Sequence, residues 1–436
     1  MNGNGIFEAG AARADITPPI GTHLYGYRPN VVSTSIHDPL NVTALALRQG
    51  DLTAIMITAT VCSIENSLVE QLRQTISDVL HIPYAHILIS SIHTHSGPNI
   101  GGSSGWGEMD MPYFSSIFFP GVLKAAQEAF SALVPAELAI GTTECLVGVN
   151  RRQQTPDGHI VLGQNPSAPF DPTMTVISLR NSQTKAGILN MVHYGCHGTA
   201  CGCNFEITRD WSGIMTDRLE QETGTMTAYW NGAEGDVGPR LTNGKTTGNI
   251  HHVEELGSVA AFDVMKAYRA KGGYHPGQLE IFTDAIRIPH KDLPSRESIQ
   301  AKLDTYQDPD ALINLEQALY QYYKKTAKFL DSGKEMPTHF TLPQTLLSLG
   351  DVLFIPSPFE LFSEISLNLR EFSPYPYTLN LSLTNGKEGY LPTKSQIPLG
   401  GYETTYFLYG HTFPMTEDAD RYFVTENLRI MNQSQF

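Results

Sequence analysis

Residues 51–98 read DLTAIMITATVCSIENSLVEQLRQTISDVLHIPYAHILISSIHTHSGP and decide the fold class that we predict for this chain. Residues 53–59 and 86–91 are apolar and rich in β-branched side chains, which predicts two buried strands. Between them, apolar residues recur with the 3.6-residue period of an amphipathic helix, at Leu68, Val69, Leu72, Ile76, Val79 and Leu80. A strand, a helix and a strand in this order favour parallel pairing through a right-handed crossover.

The rest of the chain alternates in the same way between β-rich runs and helical patterns. Further strands are predicted at 136–148, 174–180, 186–194, 226–230, 278–288, 345–355 and 376–384. Helices are predicted near 113–132, 211–222, 251–271 and 360–371. This mixture predicts an α/β fold in layers, with a mixed β-sheet flanked by helices.

Residues 295–332 differ from their surroundings. They form two charged helical stretches, rich in Tyr and Lys and broken at Asp308-Pro309. We interpret them as a helical hairpin inserted into a single metallohydrolase domain that spans residues 1–436, because no repeat or low-complexity linker divides the chain. Packing is the simplest role for such a hairpin, and a lid over a site is the alternative.

Composition narrows the classes of partner. The chain has 29 Lys and Arg against 44 Asp and Glu, a net charge of −15, which argues against nucleic acid as a partner. It contains no run of 18 apolar residues, so no transmembrane segment is predicted. Residues 1–5 lack the features of an export signal and the five cysteines are an odd number, so we expect a cytoplasmic protein. A secreted form trimmed of its leader would look the same, and the oligomeric state is not predicted.

The motif HTHSGP at 93–98 closely follows the apolar run at 87–89. Both imidazoles therefore leave the carboxyl end of a strand, where open α/β sheets place their chemistry. One histidine could bind a metal while its neighbour reaches a coordinated water. A polar turn with two solvated histidines is the alternative interpretation.

Other polar segments also follow predicted strands. VHYGCHGT at 192–199 carries a second histidine cluster, and imidazoles from two strands would converge on a metal if both strands end at the same sheet edge. The segment PSPFE at 356–360 places Glu360 after a strand, where it is expected to start a helix. The remaining segments are NGAEGDVGP at 231–239, NGKEGYLPT at 385–393 and GGYE at 400–403.

Five of these motifs, HTHSGP, CHGT, GDVxP, PSPFE and the tyrosine loop, occur in an order that resembles the neutral, non-lysosomal ceramidase family. ARADITPP at 12–19 and HDPL at 37–40 are similar to the amino-terminal signature of that family, so the resemblance spans about residues 9–405. It implies the fold of the family's catalytic domain. It also implies a zinc-dependent amidohydrolase, which cleaves an amide or related acyl bond of a small-molecule or N-acyl substrate by attack of metal-bound hydroxide.

The resemblance also implies roles for individual residues. The Zn²⁺ ligands that it implies are His93, His197, Glu360 and Tyr390. The catalytic residues that it implies are His95, which would pass a proton to the leaving group, and Arg151 and Tyr402, which would stabilise the oxyanion.

The chain departs from the family pattern in two respects. Gly238 stands where ceramidases carry Ser, which excludes a mechanism that needs a hydroxyl there. Ceramidases are exported and continue into an immunoglobulin-like domain, whereas this sequence ends at Phe436. A second hypothesis is therefore a zinc hydrolase that acts on a small polar or carbohydrate-derived substrate. A third is a non-catalytic protein that binds metal through a soft-ligand cluster of Cys196, His197, Cys201 and Cys203.

Overall fold

The computed structural model of the protein describes residues 5–411 and 413–433; the first four residues, part of the segment interpreted as lacking an export signal, lie outside these ranges. Within the described ranges the largest sheet has nine strands. Eight of them form one continuous path: β1 (Phe7–Asp15), β2 (Asn41–Gln49), β3 (Leu52–Ala59), β4 (Ile87–Ser91), β5 (Val134–Glu144), β6 (Thr173–Asn181), β7 (Gly187–Tyr194) and β8 (Thr227–Asn231). The ninth, His275–Pro276, pairs with β5.

The spatial order of the main sheet is β8-β7-β6-β5-β1-β2-β3-β4. The two outer pairs, β7 with β8 and β3 with β4, are parallel, and the inner pairs are antiparallel. The parallel pairing predicted from residues 51–98 is therefore confirmed. So is the mixed character of the sheet.

A second sheet follows in the chain, in the order β9 (Leu279–Pro289), β10 (His339–Leu349), β11 (Val352–Pro356) and β12 (Tyr377–Leu381). The prediction of one strand over 345–355 is wrong, because Leu349 pairs with Val352 across a turn that separates β10 from β11. Gly350 has a φ of 60° in this turn, a left-handed conformation that glycine adopts without steric cost.

The helices are α1 (Asn66–Leu80), α2 (Phe119–Ser131), α3 (Trp211–Thr223), α4 (Ile250–Arg269), α5 (Arg296–Leu303), α6 (Asn314–Asp331), α7 (Ser363–Phe372), α8 (Tyr402–Tyr409) and α9 (Ala419–Gln433). The turns Met111–Tyr113 and Phe114–Phe118 lead into α2, and short 3₁₀ segments lie at Tyr84–His86, Pro309–Ala311 and Lys394–Leu399. Paired short strands are His23–Leu24 with Val31–Val32, Ser35–Ile36 with Glu206–Ile207, Gly148–Asn150 with Val237–Pro239, Arg152–Gln154 with Ile160–Leu162, and Glu360–Leu361 with Tyr390–Leu391.

The expectation that Glu360 starts a helix is wrong. Glu360–Leu361 is a short strand that pairs in parallel with Tyr390–Leu391, and α7 begins only at Ser363. The backbone N–H of Ser363 donates to Asp236 Oδ1 at 2.7 Å, which satisfies one of the free donors at this helix start. Pairing with a distant segment decides the conformation of Glu360.

Consecutive residues of a strand, such as Met56 and Ile57, point to opposite faces of the sheet, and both of these side chains are apolar and buried. Both faces of the main sheet are therefore covered. On one side, α1 and α2 join β3 and β4 in a cluster that includes Val69, Ile76, Val122, Ile57 and Ile89. On the other, the second sheet packs in a cluster that includes Leu47, Met56, Leu88, Leu347 and Phe354. Helices α3 and α4 cover β6–β8 through Trp211, Leu256, Val176 and Val192. The predicted layered α/β fold is confirmed.

Helices α5 and α6 occupy the stretch 295–332, where two helices were expected. At the start of α6, Asn314 Nδ2 donates to the carbonyl of Tyr27 at 2.8 Å, and the Asn314 backbone N–H donates to Gly105 at 2.9 Å. The interpretation of this pair as an insertion into a single domain stays a prediction. In the described part of the chain, no helix has both the length and the apolar character needed to cross a bilayer.

The two ends of the main sheet approach each other. Thr58 Oγ1 on β3 donates to the carbonyl of Tyr229 on β8 at 2.7 Å, and Asn231 Nδ2 donates to the carbonyl of Ile92 at 3.2 Å. The segments that leave β4 and β7 are therefore neighbours, and both carry the predicted histidines.

Candidate metal centre

The two histidine segments are joined directly through their backbones. Thr94 and Gly198 form a parallel bridge, and the His95 N–H donates to the Gly198 carbonyl at 3.1 Å. A Cβ on Gly198 would lie only 2.9 Å from the His93 carbonyl oxygen, so a residue without a side chain permits this approach. His93 itself has a φ of 66°, a left-handed conformation that costs a non-glycine residue roughly 1–3 kcal/mol.

A third segment brings a carboxylate to the two imidazoles. Glu360 is the register partner of Tyr390, and its N–H donates to the Gly389 carbonyl at 2.8 Å. Glu360 Oε2 lies 3.4 Å from His93 Nε2 and 3.1 Å from His197 Nε2. The ligand atoms of these three residues all lie within 4.8 Å of one another, which is close enough to share one metal ion.

Hydrogen bonds fix the tautomer of both imidazoles. His93 Nδ1 lies 2.9 Å from the carbonyl of Cys62, and His197 Nδ1 lies 2.8 Å from the carbonyl of Glu234. A carbonyl can only accept, so each neutral ring carries its proton on Nδ1 and has a lone pair on Nε2. Metal-binding histidines have this arrangement, in which the second nitrogen donates to a backbone carbonyl.

The free atoms of this cluster suit a cation. His197 Nε2 and Glu360 Oε2 are buried and have no hydrogen-bond partner, a costly state for polar atoms that do not bind anything. Burial and the charge of Arg151 lower the pKa of His197 to about 3, so this imidazole is neutral at pH 7. Burial opposes ionisation of Glu360, but His93 and His197 hold its pKa well below the usual range. Burial lowers the pKa of His93, but Cys62 and Glu360 outweigh burial and hold it well above its usual value, so a cation would have to displace the His93 proton. With that proton displaced, two imidazoles and one carboxylate are a donor set that suits Zn²⁺.

Arg151 connects the cluster to a buried ion-pair network. Its Nη2 donates to the Tyr390 hydroxyl oxygen at 3.0 Å, and its Nε donates to Glu403 Oε1 at 2.9 Å. The other oxygen of Glu403 accepts from Arg152 Nη1 at 2.8 Å. Glu403 therefore holds the guanidinium of Arg151 in place. Tyr390, register partner of Glu360, presents its phenol beside the cluster.

His95 and Tyr402 complete the set of predicted site residues. The ring centroid of His95 lies 4.8 Å from that of His93, and its Nδ1 is buried without a partner. Burial and the two neighbouring imidazoles hold the pKa of His95 well below its usual value, so the ring is neutral. The Tyr402 ring centroid lies 5.7 Å from that of Tyr390. The structure thus brings together all seven side chains that were singled out in the sequence.

Two connected spaces open onto the cluster. The outer cavity has a volume of about 790 Å³, and the inner recess has a volume of about 50 Å³. The residues that line both spaces are Gly26, His95, Trp106, Tyr390 and Tyr402. These shared residues mark the junction, so a substrate bond held at the cluster would have one arm in each space.

Comparison with known proteins places this chain in a family. The family model described as "Neutral/alkaline non-lysosomal ceramidase, N-terminal" matches residues 7–275, more than half of the chain. The chain belongs to the neutral/alkaline non-lysosomal ceramidase family. Membership of the ceramidase family supports a hydrolase, and a search of curated proteins finds no match.

Two solved structures show that the ceramidase fold extends over nearly all of the chain. The structure of the neutral ceramidase from Pseudomonas aeruginosa has a TM-score of 0.74 at 15% identity, and the match covers 98% of this chain and 74% of that one. A structure described as "Ceramidase complexed with C2" has a TM-score of 0.73 at 14% identity, with coverage of 99% and 76%. The fold expectation is confirmed.

The predicted soft-ligand cluster of Cys196, His197, Cys201 and Cys203 does not form. In the described part of the chain, the groups able to share a metal are His93 with His197 and Glu360, and Cys62 with His93 and His95. Cys203 is exposed while Cys196 and Cys201 are buried, and Cys196 Sγ contacts the backbone carbonyl of His197 instead. The strand exit separates these side chains although they are close in sequence.

Gly238, the departure from the family pattern, lies in a tightly packed position. A Cβ at this residue would lie 2.8 Å from Cβ of Thr246, which lines the outer cavity. A serine side chain would therefore fit only if Thr246 moved.

Sequence reasoning missed several polar residues of this site. Glu403 lies in the quoted segment GGYE, but nothing in its spacing indicates that it pairs with both Arg151 and Arg152. Glu234 accepts from His197 through its backbone, and its own carboxyl oxygens are buried without a partner. Lys387 lines the inner recess. The signal that could have suggested it is a charged residue between glycines, three positions before Tyr390.

Proposed function

We propose that the protein is a zinc-dependent hydrolase that cleaves an amide or related acyl bond. The observation that carries the proposal is the convergence of the Nε2 atoms of His93 and His197 on Glu360 Oε2 beside the inner recess. Tyr390 is the fourth proposed ligand. A Zn²⁺ ion at these donors would supply Lewis acidity, polarising the substrate carbonyl and activating water near neutral pH.

Arg151 is proposed to stabilise the carbonyl oxygen as it gains negative charge. Its guanidinium lines the outer cavity and is held by Glu403, so its remaining N–H groups are oriented before the substrate arrives. Tyr402 lies at the same junction and would offer a second donor from its phenol. Donors that are already in place stabilise an oxyanion without the cost of reorganisation.

His95 is proposed to move the proton. As a neutral imidazole at the junction, it can accept a proton from the attacking water and donate it to the leaving nitrogen. A new C–O bond forms at the carbonyl carbon and the C–N bond breaks. The products are a carboxylic acid and an amine, so the water supplies the oxygen and all the protons required.

The lining of the outer cavity favours the second hypothesis for the substrate, a small polar or carbohydrate-derived molecule. Polar side chains line one part of this cavity, namely Gln153, Asn243, Lys245, Thr246 and Thr247, while Tyr27, Trp106, Leu162, Tyr390 and Tyr402 line another. Long alkyl chains would remove water from these groups without replacing its hydrogen bonds, which is unfavourable. Its volume of about 790 Å³ fits a small-molecule ligand.

Elemental analysis of the purified protein, combined with a hydrolysis screen, tests the proposal. We expect one zinc per chain, and faster hydrolysis of soluble N-acyl amides than of N-acyl sphingosines. His93→Ala and His197→Ala should lose both zinc and hydrolysis, while His251→Ala, at an exposed helix position, should keep both. If His93→Ala and His197→Ala retain full zinc and full turnover, the proposal is wrong.

A further inference from the structure

The inner recess ends at a lysine. Lys387 Nζ donates to the Gly101 carbonyl at 2.7 Å, to the Tyr25 hydroxyl at 3.3 Å and to Ser103 Oγ. Tyr25 OH donates in turn to Ser103 Oγ at 2.6 Å. Lys387, Tyr25 and Ser103 line the recess but not the outer cavity.

The charge of Lys387 is not balanced by its neighbours. Its three hydrogen-bond partners are all neutral, and it forms no ion pair with a carboxylate in residues 5–411 and 413–433. The adjacent carboxylate, Glu388, instead binds Asn66 at 2.7 Å and approaches His411 at 3.3 Å. In a chain with a net charge of −15, an ammonium group without a counter-ion at the floor of a cavity is a site for an anion.

The hydrogen-bonding groups can adapt to an anion. Of the three partners of Lys387, only the Gly101 carbonyl must accept, because the hydroxyls of Tyr25 and Ser103 can turn and donate. A carboxylate between them would receive the two O–H donors and the Lys387 N–H that now donates to one of these hydroxyls, so it would replace existing hydrogen bonds. Hydrogen bonds to a charged acceptor of this kind are stronger than those between neutral groups.

The size of the recess limits what can reach this end. A volume of about 50 Å³ holds only a few water-sized groups, since one water needs roughly 10–15 Å³. Beyond Lys387 lies a third cavity of about 190 Å³, lined partly by Gln321 and Lys325 of α6. The recess and this third cavity share Ser103, Lys387, Gly389 and Tyr406, so the Lys387 side chain borders both spaces.

We infer that the inner recess is the subsite for a short substrate arm ending in a carboxylate, which is held by Lys387, Tyr25 and Ser103. The inference rests on the proposed function, because it assumes that the scissile bond lies at the junction. It narrows the substrate class to anionic N-acyl compounds whose uncharged part occupies the outer cavity. The carboxylate can belong to the amine side or to the acyl side of the amide.

Two matched pairs of probes distinguish a carboxylate on the amine side from one on the acyl side. N-acetylglycine is compared with N-acetylglycinamide, and a monosuccinyl amide with its carboxamide counterpart. For the side that enters the recess, we expect kcat/KM to favour the carboxylate by roughly 10- to 100-fold, the range expected for charged hydrogen bonds. Lys387→Met should bring this ratio close to one while hydrolysis of the neutral probe persists, and Lys387→Arg should restore most of the preference.

Further variants separate recognition from folding. Tyr25→Phe keeps the ring and removes one donor, so it should lower the carboxylate preference several-fold. Lys325→Met, a change in the third cavity, should leave the preference unchanged. A wild-type enzyme that hydrolyses both members of each pair equally would overturn the inference, as would a Lys387→Met variant that keeps the full preference.

Calorimetry provides a readout that does not depend on turnover. Wild type should bind N-acetylglycine or the monosuccinyl amide more tightly than the neutral counterpart, and Lys387→Met at equal zinc content should not. If the protein holds no zinc and hydrolyses none of the probes, the proposed function fails. A preference for binding the carboxylate probe that depends on Lys387 would then still support the anion subsite. If no such preference were found, the anion subsite would be rejected.

Discussion

Glu360 and Tyr390 are register partners in a two-strand parallel pair, so their side chains emerge beside each other on one face. The carboxylate of Glu360 lies against both imidazoles, and the phenol of Tyr390 accepts from Arg151. This pairing is the element that connects the carboxyl-terminal part of the chain to the histidine segments. The following predictions test what depends on it and on its surroundings.

Glu360→Gln should reduce metal affinity by at least about 100-fold, because loss of a ligand exceeds the 10- to 100-fold typical of its supporting contacts. The change keeps the size of the side chain and removes its negative charge. Zinc content and the zinc-dependent rise in melting temperature measure the effect. Glu371→Gln, an exposed change on the following helix α7, is the control and should bind zinc like the wild type.

Gly198→Ala should weaken metal binding and lower the free energy of unfolding by about 1–3 kcal/mol, the range for overpacking. The added Cβ would lie 2.9 Å from the His93 carbonyl and 3.0 Å from Thr94 Cα, which pushes the two histidine segments apart. Gly272→Ala is a matched control, since its Cβ would meet no atom within 4 Å. Equal zinc affinity and stability in the two variants would contradict this account.

Arg151→Met should lower kcat by about 10²- to 10³-fold and leave zinc content unchanged, if Arg151 donates to the oxyanion. Glu403 would still pair with Arg152 in this variant, so the fold is retained. Steady-state kinetics and elemental analysis on the same preparation measure both quantities. Arg421→Met, at an exposed position, should match the wild type. Loss of zinc from Arg151→Met would point to a role in holding the ligands instead.

Glu403→Ala should lower the free energy of unfolding by about 3–5 kcal/mol, because it leaves two buried guanidinium groups without their shared partner. Arg151 and Arg152 both donate to this carboxylate, at 2.9 and 2.8 Å. Asp331→Ala breaks the exposed pair with Arg296 and should cost much less. Urea denaturation of the three proteins compares the two losses, and similar values would refute the structural importance of the buried pair.

Stability should fall as the pH rises from about 6.5 to about 9 through the titration of His37. Hydrogen bonds to Asp38, at 3.0 Å, and to Glu254, at 3.1 Å, raise the pKa of His37 from 6.5 to about 9 in the folded protein. A group whose pKa is raised in the folded state contributes its full stabilisation below its unfolded-state pKa. This stabilisation is lost as the pH rises through its folded-state pKa. Arg209 binds the other oxygen of Asp38 and keeps that carboxylate ionised throughout.

The matched variant for this prediction is His37→Gln. Urea denaturation between pH 6 and 10 should show a smaller decline in the free energy of unfolding for the variant than for the wild type. A parallel pH dependence in the two proteins would show that His37 does not contribute.

Local patterns predicted the strands that deliver the histidines. The alternation of residues 51–98 between two apolar runs and an amphipathic helix is a short-range property, and the parallel pair β3–β4 follows from it. The same approach failed at 345–355, where the turn at Gly350 interrupts an apolar run. Periodicity measures burial and does not report where the chain reverses.

The sequence by itself determined the layered α/β class, the strand exits at His93 and His197, and the motif order typical of the ceramidase family. Only the tertiary structure decided that Glu360 lies in a strand beside Tyr390, that Glu403 holds Arg151, and that Lys387 lines the recess. Helical and strand patterns arise from residues a few positions apart. The site arises from pairing between segments that are distant in the chain, whose register depends on packing of the whole core.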